Sequence, residues 1–132
     1  RSAKDEGPRL LIGSLTSEFE NLDTIMHIIV AQNIGWDVTY VGNGVPHDEL
    51  IFMANKIKAR AMVIALNHPR DIARKTHEIK TIKETAEQKD NIVLIGKETS
   101  NYRQLADDVK AIISSDLSSF RLTMERLYGL IR

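Results

Sequence analysis

The sequence predicts a three-layer α/β fold: a five-stranded parallel sheet in the order 2-1-3-4-5, with helices on both faces. Three observations predict it. Continuous apolar runs stand at Leu10–Ile12, Ala61–Leu66 and Ile92–Ile95, as in strands buried on both faces. Longer segments with apolar residues at helical spacing separate them, so strand and helix alternate five times. No linker or low-complexity stretch interrupts the series, and 132 residues make one domain. Such a chain buries roughly two thirds of the surface it would expose unfolded. Parallel strands joined by right-handed helical crossovers give the flavodoxin-like, broadly Rossmann-like, order. A two-layer α+β arrangement is the alternative.

Arg1–Pro8 is polar and is expected to form a flexible amino-terminal segment, with residues 9–132 as the domain. A start at Arg rather than Met suggests a piece of a longer protein. Leu10–Ile12, with Leu15, is the first strand. Ser17-x-x-Glu20 then makes a capping box for a helix Glu18–Asn33. Phe19, Leu22, Met26, Ile29, Val30 and Asn33 lie at helical spacing, so that face is expected to look inward. Gly35 suits a left-handed exit. Asp37–Val41 alternates with β-branched and aromatic residues and is the second strand. Gly42–Pro46 is a turn, with Pro46 as the first residue of a helix His47–Lys58 that places Leu50, Ala54 and Ile57 on one side.

Ala61–Leu66 is the central strand, broken by Asn67-His68-Pro69. Arg70–Gln88 is a polar helix with a thin stripe of Ile72, Thr76, Ile79, Ile82 and Ala86. Ile92–Ile95 is the fourth strand, ended by Gly96. Asn101–Asp107 is a short helix presenting Tyr102 and Leu105, and Val109–Ile113 is the fifth strand. The last helix, Leu117–Ile131, carries Leu117, Phe120, Met124, Leu127, Tyr128 and Ile131 at good spacing.

Composition removes several functions. Eighteen basic residues balance eighteen acidic ones without a long block of either sign. That is not the charge of a chain binding nucleic acid directly or lying on a membrane surface. Cysteine is absent, which excludes disulfides, thiol catalysis and thiolate metal sites. No apolar run is long enough to span a bilayer and no signal-peptide pattern opens the chain, so a cytoplasmic location is expected.

Five loops meet along the carboxyl edge of such a sheet: Gly13–Glu20, Gly42–Pro46, Asn67–Arg70, Gly96–Ser100 and Ser114–Asp116. The first and third flank the point where strand order reverses and form the expected crevice. A dinucleotide fingerprint needs three spaced glycines after the first strand, and only Gly13 is there. Phosphoryl transfer to a strand-tip aspartate is disfavoured because the third strand ends in Ala65-Leu66-Asn67. Ser14, Thr16 and Ser17 approach a phosphate loop at a helix amino terminus; the plainer reading is that they cap the helix. Glu18 and Glu20 are explained as first-turn glutamates favoured by the helix dipole. His27 reads as a packing residue beside an apolar face, His47 and His77 as solvated. His68, next to Asn67 at the central strand tip, is the one histidine placed to meet a ligand. No nucleophile stands beside a base, so no enzyme active site is expected.

The chain resembles the cobalamin-binding domain family over about Arg9–Ile131. The resemblance rests on the first strand, on Asn33-Ile34-Gly35-Trp36-Asp37-Val38-Thr39-Tyr40-Val41-Gly42, and on Val45-Pro46-x-x-Glu49-Leu50. The strand Ala59–Leu66 and Gly96 add to it. Such domains occur in methionine synthase, carbon-skeleton mutases and regulators related to MerR, and the phrase Gly-Trp-x-Val-x-Tyr-x-Gly-x-x-Val-Pro leans towards the regulators.

The resemblance implies a ligand loop Asp-x-His-x-x-Gly whose His coordinates cobalt. By position this chain has Glu18-Phe19-Glu20-Asn21-Leu22-Asp23, with Glu20 for the His and Asp23 for the Gly. The family's Ser-x-Leu, lining the pocket of the nucleotide tail, becomes Ala65-Leu66-Asn67, and its Gly-Gly becomes Gly96-Lys97. A carboxylate is harder than imidazole and poorly matched to low-spin cobalt, and Lys97 brings a long charged side chain to the tail's path. Binding of cobalamin through a histidine is therefore not expected. Base-on cobalamin, another tetrapyrrole or no ligand stay open.

The candidate crevice is thus Ser14, Thr16, Ser17, Glu18, Glu20, Gly42, Asn67, His68, Gly96 and Lys97. The expected function is a non-enzymatic sensory domain of a bacterial transcriptional regulator, with a DNA-binding domain outside this chain. The alternatives are a dimerisation module without ligand, supported by Leu122, Leu130, Ile51, Phe52 and Met53, and the corrinoid-binding subunit of an enzyme.

Overall fold

In a computed structural model, described for residues 7–16, 22–67, 69–88, 90–97 and 99–131, the strands stand in the order β2-β1-β3-β4-β5 and every pair is parallel. They are β1 (Arg9–Ser14), β2 (Asp37–Tyr40), β3 (Ala61–Ala65), β4 (Ile92–Ile95) and β5 (Ile112–Ser114). The helices α1 (Leu22–Ile34), α2 (His47–Lys56), α3 (Ile72–Thr85), α4 (Ser100–Val109) and α5 (Leu117–Ile131) alternate with them. Register follows from burial. Leu10 faces Val38 on one side and Ala61 on the other, and Met62 faces Ile92.

Successive strand residues point to opposite faces, which divides the core in two. Leu11, Met62, Ile64 and Leu94 pack under α2, α3 and α4 with Leu50, Ile79, Ile82 and Leu105. Leu10, Ile12, Ala61, Val63, Val93 and Ile95 pack under α1 and α5 with Trp36, Phe120 and Met124. A central strand covered on both faces must be apolar throughout, and all five residues of β3 are buried.

Several boundaries differ from the sequence expectation. Gly13 and Ser14 belong to β1 rather than to the loop after it. A Cβ on Gly13 would stand 2.7 Å from Val41 and 2.9 Å from Leu50, so the strand passes α2 too closely for a side chain. Pro46 caps α2 instead of opening it. The polar helix is shorter, with Asp71 accepting the Arg74 N–H at its start and an extended Ala86 at its end. The fifth strand begins three residues later than expected because Val109 continues the buried series Tyr102, Leu105, Ala106 of α4. Lys110 then ends that helix in the left-handed conformation. Gly35 leaves α1 with φ +129, and a Cβ there would meet the Tyr128 hydroxyl at 2.6 Å.

The largest departure concerns α1. The residues expected inside, Leu22, Met26 and Ile29, are exposed, at 69%, 40% and 49%. Thr24, His27 and Ala31 face the core, with Ile28, Val30 and Ile34 partly buried beside them. A helix apolar on nearly every side carries no phase in its periodicity. The neighbours decide which face turns inward. The predicted capping box, Ser17 to Glu20, lies outside the described residues.

Candidate functional site

The carboxyl ends of β1 and β3 are sewn together by two hydroxyls. Ser14 Oγ accepts the Thr16 N–H at 3.1 Å, lies 2.9 Å from Thr16 Oγ1, and can donate to the Ala65 carbonyl at 3.0 Å or to the Thr16 carbonyl at 3.2 Å. Thr16 Oγ1 accepts the Asn67 N–H at 3.2 Å. The Gly42 carbonyl accepts the Ser14 N–H, and Gly44 and Val45 donate to Thr16 and Ser14 carbonyls. Ser14 and Thr16 are buried. Their hydroxyls, read from the sequence as helix caps rather than as an anion grip, instead shape the strand tips and are engaged with this chain's own backbone. Gly42 takes part through its carbonyl.

An open cavity of about 270 Å³ lies beside this seam, on the α1–α5 face. Asn67 enters it from the tip of β3, and Ile95, Gly96 and Lys97 from β4. Ser115, Asp116 and Leu117 form its wall at the start of α5, and Asp23, Thr24 and His27 its wall on α1. Three of the predicted residues, Asn67, Gly96 and Lys97, are therefore brought together. Ser17, Glu18, Glu20 and His68 lie outside the described residues. Lys97 is exposed where it lines the cavity.

Gly96 has a structural reason to be glycine. A Cβ would stand 2.7 Å from the Leu66 carbonyl and 3.0 Å from the Tyr102 ring. That ring is held in turn. The Tyr102 hydroxyl lies 2.9 Å from the Leu94 carbonyl and 3.0 Å from that of Ser114, and burial raises its pKa to about 12. Asp116 starts α5, its Oδ1 accepting the Ser119 N–H at 2.8 Å.

His27 is the residue that the sequence reading assigned to packing alone. It is only 8% exposed. Its ring meets Phe120 edge-on, centroids 4.6 Å apart at 66°, so the packing role is real. Its Nδ1 lies 2.6 Å from the Asp23 carbonyl. A carbonyl only accepts, so Nδ1 carries the proton. Burial holds the imidazole below its ordinary pKa, partly offset by the Asp23 carbonyl and carboxylate. In its neutral form Nε2 is therefore an acceptor, and it has no partner among the described residues. The sequence signal was present, as a histidine inside an otherwise apolar helix. Only the rotation of α1 turns it towards the cavity.

Among the described residues, no group of three His, Cys, Asp or Glu could hold a metal ion, and no helix is long and apolar enough to cross a membrane. The sequence matches no protein-family model and no curated protein. Solved structures do match. A cobalamin-binding protein from Desulfitobacterium hafniense superposes with a TM-score of 0.72 at 11% identity, over 91% of this chain and 58% of that one. The monomethylamine corrinoid protein of Methanosarcina barkeri gives 0.70 at 9% identity, over 97% of this chain and 60% of that one. The chain shares the fold of these two proteins. It spans about three fifths of their length.

Proposed function

We propose that this chain is a non-catalytic sensory domain that binds a corrinoid by its nucleotide tail, without a histidine bond to cobalt. The observation that carries the reading is the α1–α5 cavity at the tips of β3, β4 and β5, in a fold shared with a cobalamin-binding protein and a corrinoid protein. Its volume of about 270 Å³ suits a heterocycle with its sugar and is too small for a corrin ring. Gly96 presents bare backbone there, Asn67 an amide, and Lys97 at the rim an ammonium that pairs with phosphate. A bound corrinoid supplies a visible chromophore and a cobalt–carbon bond that light or chemistry can break. Glu20 replaces the resembled family's histidine, and a carboxylate holds low-spin cobalt poorly. The role of regulator follows the sequence resemblance, with a DNA-binding domain outside this chain reading the state of the ligand. The balanced charge supports a domain that does not itself bind DNA.

The outer face of α1 favours a second property, pairing of two copies. Leu22, Ile25, Met26 and Ile29 repeat at i, i+3, i+4 and i+7, are 40% or more exposed, and include no charge. Self-association through such a stripe is compatible with ligand binding.

One column run tests both. The domain, mixed at low micromolar concentration with methyl-, adenosyl- or hydroxocobalamin or with heme, is gel-filtered and its visible spectrum read. Co-elution of a cobalamin with a base-off spectrum is the expected result. A colourless protein peak with all three cobalamins, or co-elution of heme alone, overturns the corrinoid reading. The elution volume reports the pairing.

A further inference from the structure

We infer that His27 makes the α1–α5 cavity selective for a heterocycle that donates an N–H bond, a purine with an exocyclic amine rather than a methylated benzimidazole. The inference rests on the corrinoid reading for what carries the heterocycle, and on the cavity wall for its identity.

The wall is rich in acceptors. His27 stands nine-tenths buried on its α1 side. Its Nδ1–H is committed to the Asp23 carbonyl at 2.6 Å, and Phe120 fixes the ring edge-on at 4.6 Å. The imidazole therefore cannot swing its Nδ1–H round to donate to a ligand without breaking that bond. What it offers the cavity is the Nε2 lone pair. Asp23 on the same helix and Asp116 just before α5 add carboxylates, with one Asp116 oxygen already taken by the Ser119 N–H. Against these, the lining side chains that can donate are the Asn67 amide, the exposed Lys97 and the hydroxyls of Thr24 and Ser115, which also accept.

A ring whose edge carries only methyl groups leaves Nε2 desolvated and without a donor. A buried acceptor deprived of its partner disfavours such a ligand. A purine amine supplies the missing proton, and ribose hydroxyls supply donors for the carboxylates. Ile95 and Leu117 add apolar lining that suits either ring, so shape alone does not discriminate. The discrimination comes from one lone pair.

The test compares two corrinoids that differ only in the lower base, adenine or 5,6-dimethylbenzimidazole, and the two corresponding ribonucleosides. Calorimetry gives the dissociation constants, and nitrogen NMR of histidine-labelled protein reads Nε2 directly. The adenine form is expected to bind about tenfold tighter or more, the worth of one such hydrogen bond, and adenosine is expected to shift the His27 Nε2 resonance. His27→Phe, which keeps an aromatic ring against Phe120, should abolish the preference. His27→Gln, which can present an amide oxygen, should keep part of it. Equal or tighter binding of the benzimidazole form overturns the inference and leaves the corrinoid reading intact. If neither corrinoid binds, the corrinoid reading fails. The cavity's selectivity then stands if adenosine shifts Nε2 and falls if it does not. The NMR arm uses the unaltered protein, so a poorly folding variant cannot blunt it.

Discussion

A neutral imidazole inside an apolar layer weakens a fold whenever it must take a proton. Burial lowers the pKa of His27 from an unfolded value of 6.5, against the smaller opposing pull of Asp23. Well above pH 6.5 neither state carries the proton, and the fold keeps its full stability. As pH falls through that value the unfolded chain binds a proton first, so stability drops until native His27 is protonated as well. Urea midpoints at about pH 7.5 and about pH 5 should therefore differ more for the unaltered protein than for His27→Phe. An equal acid loss in both would place the sensitivity elsewhere. Ser14 and Tyr102 show the opposite economy at this scale. Each is a buried hydroxyl whose bonds run between strand tips, and neither needs a ligand to be explained.

At the scale of elements, α1 is the instructive one. It fits between the sheet and α5 with His27 on Phe120 and with Ala31 in the same core cluster as Trp36 and Met124. That leaves Ile25 and Ile29 to the outside, at 42% and 49% exposure. The double variant Ile25→Ser, Ile29→Ser should cost less than about 1 kcal/mol in chemical denaturation, as outward substitutions do. Phe120→Ala on the facing helix should cost about 3–5 kcal/mol, because it removes a fully buried ring and leaves a void in its place. If copies pair through this stripe, the double variant should also elute as a smaller species. A loss of several kcal/mol in the double variant would show that the helix is turned the other way. The other helices give no such surprise, since α4 and α5 have one clearly apolar face each.

For the whole molecule, the parallel sheet is the element both layers share. Each core residue of β3 touches one layer while its neighbours touch the other, so neither layer can be lost with the sheet intact. The single tryptophan, Trp36, is buried in the α1–α5 layer, donating to the Met124 carbonyl at 3.2 Å and edge-on to Tyr128. Tryptophan fluorescence and far-ultraviolet circular dichroism should therefore give coincident urea transitions. Separate midpoints would mean that the α1–α5 layer, and the cavity with it, opens on its own. The solved structures that share this fold are longer than this chain.

The apolar runs of β3 and β4, the alternation of strand and helix, and the final helix determined the fold class and the strand order from sequence alone. Burial on both sides leaves a strand no polar positions, so its pattern survives any detail of packing. That Asn67, Gly96 and Lys97 lie together at the strand tips was legible for the same reason, since they follow strands whose ends are sharply marked. Tertiary structure alone decided two further things. It committed Ser14 and Thr16 to the neighbouring backbone, because their partners are Ala65 and Asn67, 51 residues away. It also turned His27 towards the cavity, because a helix apolar all round has no inward face until another surface chooses one.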